Sequence, residues 1–138
     1  MSQEDKRLQI YGMRYLPISN AQVENMPGSH YIRVHGDWID LGISSGEFKE
    51  QQEEPGSIVV QELKAIITDT GQSNAISILD LISSEGLVLI EMTNGDKKVI
   101  GTDHFPVLIS SEHSGSSLKQ SLSFKRNSPE PAKILKSF

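Results

Sequence analysis

Along most of the chain apolar and polar residues alternate with period two, the signature of strands that bury one face. In His30–Ile43, HYIRVHGDWIDLGI, Tyr31, Arg33 and His35 fall on one side and Ile32 and Val34 on the other. The Gly36–Asp37 pair then supplies turn chemistry, which predicts a hairpin or a bulged bend. In the stretch from Gly46 to Thr70, Pro55–Gly56 separates the polar EFKEQQEE from SIVVQELKAIIT. On the second arm Val59, Leu63, Ala65 and Ile67 share a face that only Gln61 interrupts, whereas the first arm offers Phe48 alone. Arms so unequal predict a long hairpin, about 44–68, whose tip projects from the domain.

One segment changes period. Ser73 stands where an N-cap would satisfy orphan amides, and Gly86 where a left-handed residue would end a helix. Between them Ile76, Leu79 and Ile82 recur every three residues, predicting one flanking helix over about 73–85. A second hairpin follows in LVLIEM-TNGD-KKVIGT. A two-residue turn at Asn94–Gly95 would set Met92 opposite Lys97, Glu91 opposite Lys98 and Ile90 opposite Val99. Aliphatics on both faces of that pair predict a central place in the sheet. A short strand in FPVLISS and a Ser/Gly loop over 110–117 lead to a final strand. There Leu118, Gln120, Leu122 and Phe124 oppose Lys119, Ser121, Ser123 and Lys125. The fold class is therefore mainly β, a β-sandwich or partly open barrel with one flanking helix. Residues 1–138 form a single β-rich domain, of which 126–138 make an extended C-terminal arm.

Length and composition narrow this further. A chain of 138 residues suits one domain. Having no cysteine, it has no disulfide framework, thiolate zinc site or cysteine nucleophile. A net charge of -5 argues against a general nucleic-acid binder. No apolar run reaches the roughly 18–20 residues of a membrane-spanning helix, and MSQEDKRLQI lacks the apolar stretch expected of a signal peptide.

The search for chemistry returns little. His30 and His35 are five apart in an expected strand, so their side chains point to opposite faces. His104 and His113 each follow an acidic residue in a loop. Trp38 lies between Asp37 and Asp40, which suits an anchor of a small sheet better than a sugar platform. GISSGEF has the look of a Gly-rich turn, but no lysine follows at P-loop distance, and there is no G-x-G-x-x-G. The expectation is a protein that is not an enzyme, with no cofactor and no metal.

Charge is segregated instead. Between Ser44 and Gly56, Glu47, Glu50, Glu53 and Glu54 against Lys49 give a net of -3. From Leu118 to Phe138, Lys119, Lys125, Arg126, Lys133 and Lys136 against Glu130 give +4. Complementary ends on one chain suit head-to-tail assembly. The candidate assembly residues are therefore Glu47, Glu50, Glu53 and Glu54 on the hairpin. Lys125, Arg126, Ile134, Leu135 and Phe138 are their counterparts on the arm.

Two motifs carry a family resemblance: Lys97–Lys98–Val99–Ile100–Gly101–Thr102, and Leu122–Ser123–Phe124–Lys125–Arg126–Asn127–Ser128–Pro129 after a Ser/Gly loop. Over residues 44–131 the order resembles small tail-associated structural proteins (tail tube, terminator or head–tail joining-like) of Bacteroidetes-type phages and prophages. The first 43 residues lie outside that likeness. The resemblance implies a virion component assembled in the bacterial host cytoplasm, a homo-oligomeric and typically hexameric ring. Its partners would be other tail or head–tail proteins, with DNA as passing cargo and no membrane. An acidic hairpin facing the channel would let DNA slide. The alternative is a monomeric β-sandwich binding module for a glycan or protein ligand, using Trp38 and Tyr31.

Overall fold

The computed structural model describes residues 8–25, 30–52, 54, 58–67, 80, 83–93, 95–102, 106–113, 120–129 and 131–135. Strands dominate them: β1 (Leu8–Pro17), β2 (Gln22–Asn25), β3 (Tyr31–His35), β4 (Ile39–Asp40), β5 (Ser45–Gln52), β6 (Val59–Ile67), β7 (Gly86–Met92), β8 (Lys97–Ile100), β9 (Ser110–His113), β10 (Gln120–Ser128) and β11 (Lys133–Leu135). They form one open sheet in the order β2-β3-β11-β8-β7-β1-β5-β6-β10-β9, with β4 added beside β1. Mainly β is thus the observed class, and the two facing sheets of a sandwich are not seen among the described residues.

The sheet carries apolar side chains on both faces. The larger core takes Ile10, Met13 and Tyr15 from β1, Phe48 from β5, Leu63, Ala65 and Ile67 from β6, and Leu122 and Phe124 from β10. Val88, Ile90 and Met92 of β7 complete it with Ile100, Val107 and Ile109. On the other face Leu87 and Leu89 of β7 join Val99, Leu16, Ile32 and Val34, with Trp38 and Leu135 packed against them. β7 is therefore central, as its two apolar faces predicted.

Several expectations are corrected. The hairpin over 44–68 exists, with Gln52 opposite Val59 and Ser45 opposite Ile66; its described arms lie within the sheet, and the tip expected to project (53 and 55–57) lies outside the described residues. β6 is paired along its length by β5 on one side and β10 on the other, because its apolar face must be covered by neighbours that bring their own core residues. The helix expected over 73–85 falls mostly outside the described residues. Among those described only Asp80 carries helical backbone, so the flanking helix is not seen. Gly86 does not close a helix; it opens β7 in extended backbone. An added Cβ there would lie 2.5 Å from the carbonyl oxygen of Leu16 and 2.7 Å from the Tyr15 ring. The residue is small because two backbones and a ring meet on it.

The β7–β8 hairpin is shifted by one residue from its expected register. Glu91 faces Lys97, Ile90 faces Lys98, Leu89 faces Val99 and Val88 faces Ile100. The amide of Met92 donates to the carbonyl of Asp96 and that of Gly95 to the carbonyl of Met92, so three residues form the loop rather than two. Gly95 sits at φ 96°, the left-handed residue such a loop needs. Because faces alternate, this one-residue slip decides which side chains meet.

Around Gly36–Asp37 the chain does not fold back on β3. It crosses instead to β1, where β4 sets Asp40 opposite Arg14 and Ile39 opposite Tyr15. The partners of β3 are β2, antiparallel, and β11, parallel. The expected strand in FPVLISS reduces to a bridge between Val107 and Gly86, and regular pairing resumes at Ser110, inside the expected loop. The arm expected from residue 126 is not an arm: β10 runs to Ser128, and the chain then re-enters the sheet as β11 between β3 and β8.

Candidate functional site

Three strands place the charged residues singled out by the sequence. Along β5, β6 and β10, Phe48, Leu63 and Phe124 form one cross-strand row facing the core. The next row on that face is polar: Glu50, Gln61 and Arg126. Gln61 is only 1% exposed. Its Nε2 donates to Glu50 Oε2 at 2.7 Å, and its Oε1 accepts from an Arg126 guanidinium nitrogen at 2.8 Å. The same Glu50 oxygen accepts the backbone N–H of Ala132 at 2.7 Å. An amide linking a carboxylate to a guanidinium satisfies three groups that would each be costly to bury alone. Burial pushes the Arg126 guanidinium below its ordinary pKa. This row is a structural clasp at one end of the core, and it fixes the point where the chain leaves β10 to form β11.

The opposite face of the same strands holds the remaining charges in register. Glu47 lies opposite Gln9 on one side and Lys64 on the other. Lys49 lies opposite Glu62, which itself faces Lys125. Alternating signs across three strands stabilise pairing modestly and leave no acidic stripe. Gln9, Ser45, Gly46, Glu47, Lys64 and Ile66 border a shallow depression of about 280 Å³ on this face.

The nine candidate assembly residues are therefore not brought together. Glu50 and Arg126 face inward within the clasp, Glu47 and Lys125 lie on the outer face, and Glu54 is exposed beyond β5. Ile134 and Leu135 are half-buried in β11, and Leu135 packs on the smaller core. Glu53 and Phe138 lie outside the described residues. No family model matches this chain, and neither a curated protein nor a solved structure does.

A second polar cluster went unmarked in the sequence. Glu91, its side chain 13% exposed, lies 3.6 Å from Arg14 Nε and 3.9 Å from Lys97 Nζ, and the Tyr11 hydroxyl donates to it at 3.5 Å. It ties β1, β7 and β8 together, and Gly12 opposite it leaves room for the carboxylate: an added Cβ would meet Oε1 at 2.8 Å. Its only sequence signal was a carboxylate amid the aliphatics of LVLIEM. Tyr15 is a third buried polar group; its hydroxyl donates to the carbonyl of Ser84, and burial raises its pKa above the usual value.

His35 pairs with Glu24 across β2 and β3 at 3.6 Å, and His30 is exposed. Among the described residues no three His, Asp or Glu side chains converge as metal ligands would. Trp38 packs on the smaller core, whereas Tyr31 is 48% exposed on the reverse face of β3. The two aromatic residues of the alternative binding surface thus lie apart.

Proposed function

We propose that this protein is a non-enzymatic structural subunit that assembles with copies of itself, of the kind that forms a phage tail tube or tail-associated ring around a DNA channel. The observation that carries the reading is where the protein keeps its chemistry. Glu50, Gln61 and Arg126 bond to one another, and Glu91 with Arg14 and Lys97, which leaves these groups holding strands together rather than facing a cleft. Six large apolar side chains, Tyr11, Tyr31, Ile39, Ile58, Ile66 and Leu108, are exposed instead. Apolar side chains outside and polar groups consumed inside suit a body that meets other protein surfaces.

The two motif stretches support the same reading from the sequence. Lys97–Ile100 is β8, and Leu122–Ser128 lies within β10, so both belong to the framework. A partly open barrel is the architecture we propose. Segment 106–113 bridges to β7 at Val107 and pairs with β10 from Ser110, and one core receives side chains from β1, β5, β6, β7, β8 and β10. Such curling supports a compact wall unit. With Glu50 turned inward, the channel surface is not the Glu47–Glu54 hairpin as a block; among the described residues Glu54 and the outer-face Glu47 remain candidates.

Negative-stain electron microscopy of the purified protein at high concentration tests the proposal. Rings or tubes are the expected images. A uniform field of single small particles, with a glycan or peptide bound at Tyr31, would favour the monomeric binding module.

A further inference from the structure

β11 occupies an interior position in the sheet although it contributes only Lys133–Leu135. On one side Lys133 and Ile134 face Val99 and Lys98 of β8, antiparallel; on the other Ile134 and Leu135 run parallel to Tyr31 and Ile32 of β3. The other partner of β3 is β2, the end of the strand path. Among the described strands, ladder pairing between the β2–β3 hairpin and the rest of the sheet therefore passes through β11. Two backbone edges and the apolar side chains of Ile32, Leu89 and Val99 thus form a slot that a single short strand fills. The strand arrives through residues 129–132, where Pro129 and Pro131 lack amide donors and favour extended backbone. The linker is held to the body by the Ala132 amide on Glu50.

We infer that β11 is an exchangeable strand: between copies of this chain it enters the β3–β8 slot of a neighbour, and the Glu50–Ala132 bond biases it toward its own. The inference rests on the assembly reading above and names the contact. Exchange of an identical element keeps every bond within the slot, so its cost is confined to the hinge. A hinge stiffened by Pro129 and Pro131 can direct the strand outward as well as back. A strand added between two waiting edges supplies register through the backbone and specificity through alternate side chains.

The absence of native cysteine makes the test clean. Chains carrying Lys98→Cys alone and Ile134→Cys alone are co-expressed and oxidised, then resolved on a non-reducing denaturing gel, with each single variant as its own control. Lys98 and Ile134 face each other across β8 and β11, so a disulfide between the two variants forms only if β11 crosses between chains. The expected result is a mixed, disulfide-linked pair at twice the chain mass. Its yield should rise about fivefold on adding Glu50→Ala, the equivalent of one hydrogen bond of average net strength. The double variant K98C/I134C, with its mass in solution measured by light scattering, separates the remaining outcomes. Internal disulfide alone, with no linked pair even when Glu50→Ala is added, in a protein that still assembles overturns the exchange and leaves assembly standing. Internal disulfide in a protein of single-chain mass overturns both. No disulfide of either kind shows that β11 does not occupy the slot, which also overturns the exchange.

Discussion

At the level of single residues, Gly86 and Gln61 explain the most. Gly86 lies where the β1 backbone, the Tyr15 ring and the Val107 bridge converge, and an alanine methyl would enter within 2.5 Å of a backbone oxygen. Backbone cannot give way as a flexible side chain can. Gly86→Ala should therefore cost about 2–4 kcal/mol in urea unfolding, well above the tenths expected for an unobstructed strand glycine. Gln61→Leu removes the amide between Glu50 and Arg126 and leaves Arg126 without that acceptor. A loss of about 2–3 kcal/mol is expected in the same measurement, although leucine is the more apolar residue. Tyr15 makes stability depend on alkaline pH. Its pKa is raised in the folded state by burial, so the native protein holds the proton more tightly than the unfolded chain. The contribution is fully present below about pH 10, the unfolded value, and is lost as pH climbs through the folded one. Thermal unfolding followed from pH 8 to pH 11 should fall less steeply in Tyr15→Phe than in the native sequence.

At the level of elements, what could be read from the sequence depended on how local the deciding physics was. The alternation of Tyr31–His35, the apolar face of Val59–Ile67 and the central position of Gly86–Met92 were legible, because burial on a given face needs only period-two spacing. The register of β7–β8 was missed by one residue, because Asn94–Gly95 fits both a two-residue turn and the three-residue loop with Gly95 left-handed. Non-local pairing was not legible. Nothing in KIL announces a strand between β3 and β8, and the clasp needed three distant segments to come into register. The one hint was Gln61 interrupting an otherwise apolar face. The same reasoning gives an element-scale expectation: truncation after Ser128 should detach β2 and β3 first. Amide hydrogen exchange should show protection lost over Gln22–Asn25 and Tyr31–His35 while β6 and β10 keep theirs. Uniform loss across the sheet would mean that β11 is no separate tie.

For the molecule as a whole, the segregation of charge read from the sequence is largely dissolved by the fold. Glu50 and Arg126 meet internally, Glu47 faces Lys64, and Lys133 is buried at 4% exposure. The proposed assembly would therefore rest on apolar outer positions and on backbone pairing more than on opposite ends attracting. Raised salt should accordingly leave the assembled state in place, since screening acts on exposed charges over about a Debye length while apolar contacts are not weakened. The most direct measurement is mass in solution by light scattering across a wide range of protein concentration. The account expects a particle of several chains that persists in high salt and shifts toward single chains when Tyr11, Ile66 and Leu108 are replaced by serine. A mass of one chain at every concentration would contradict it.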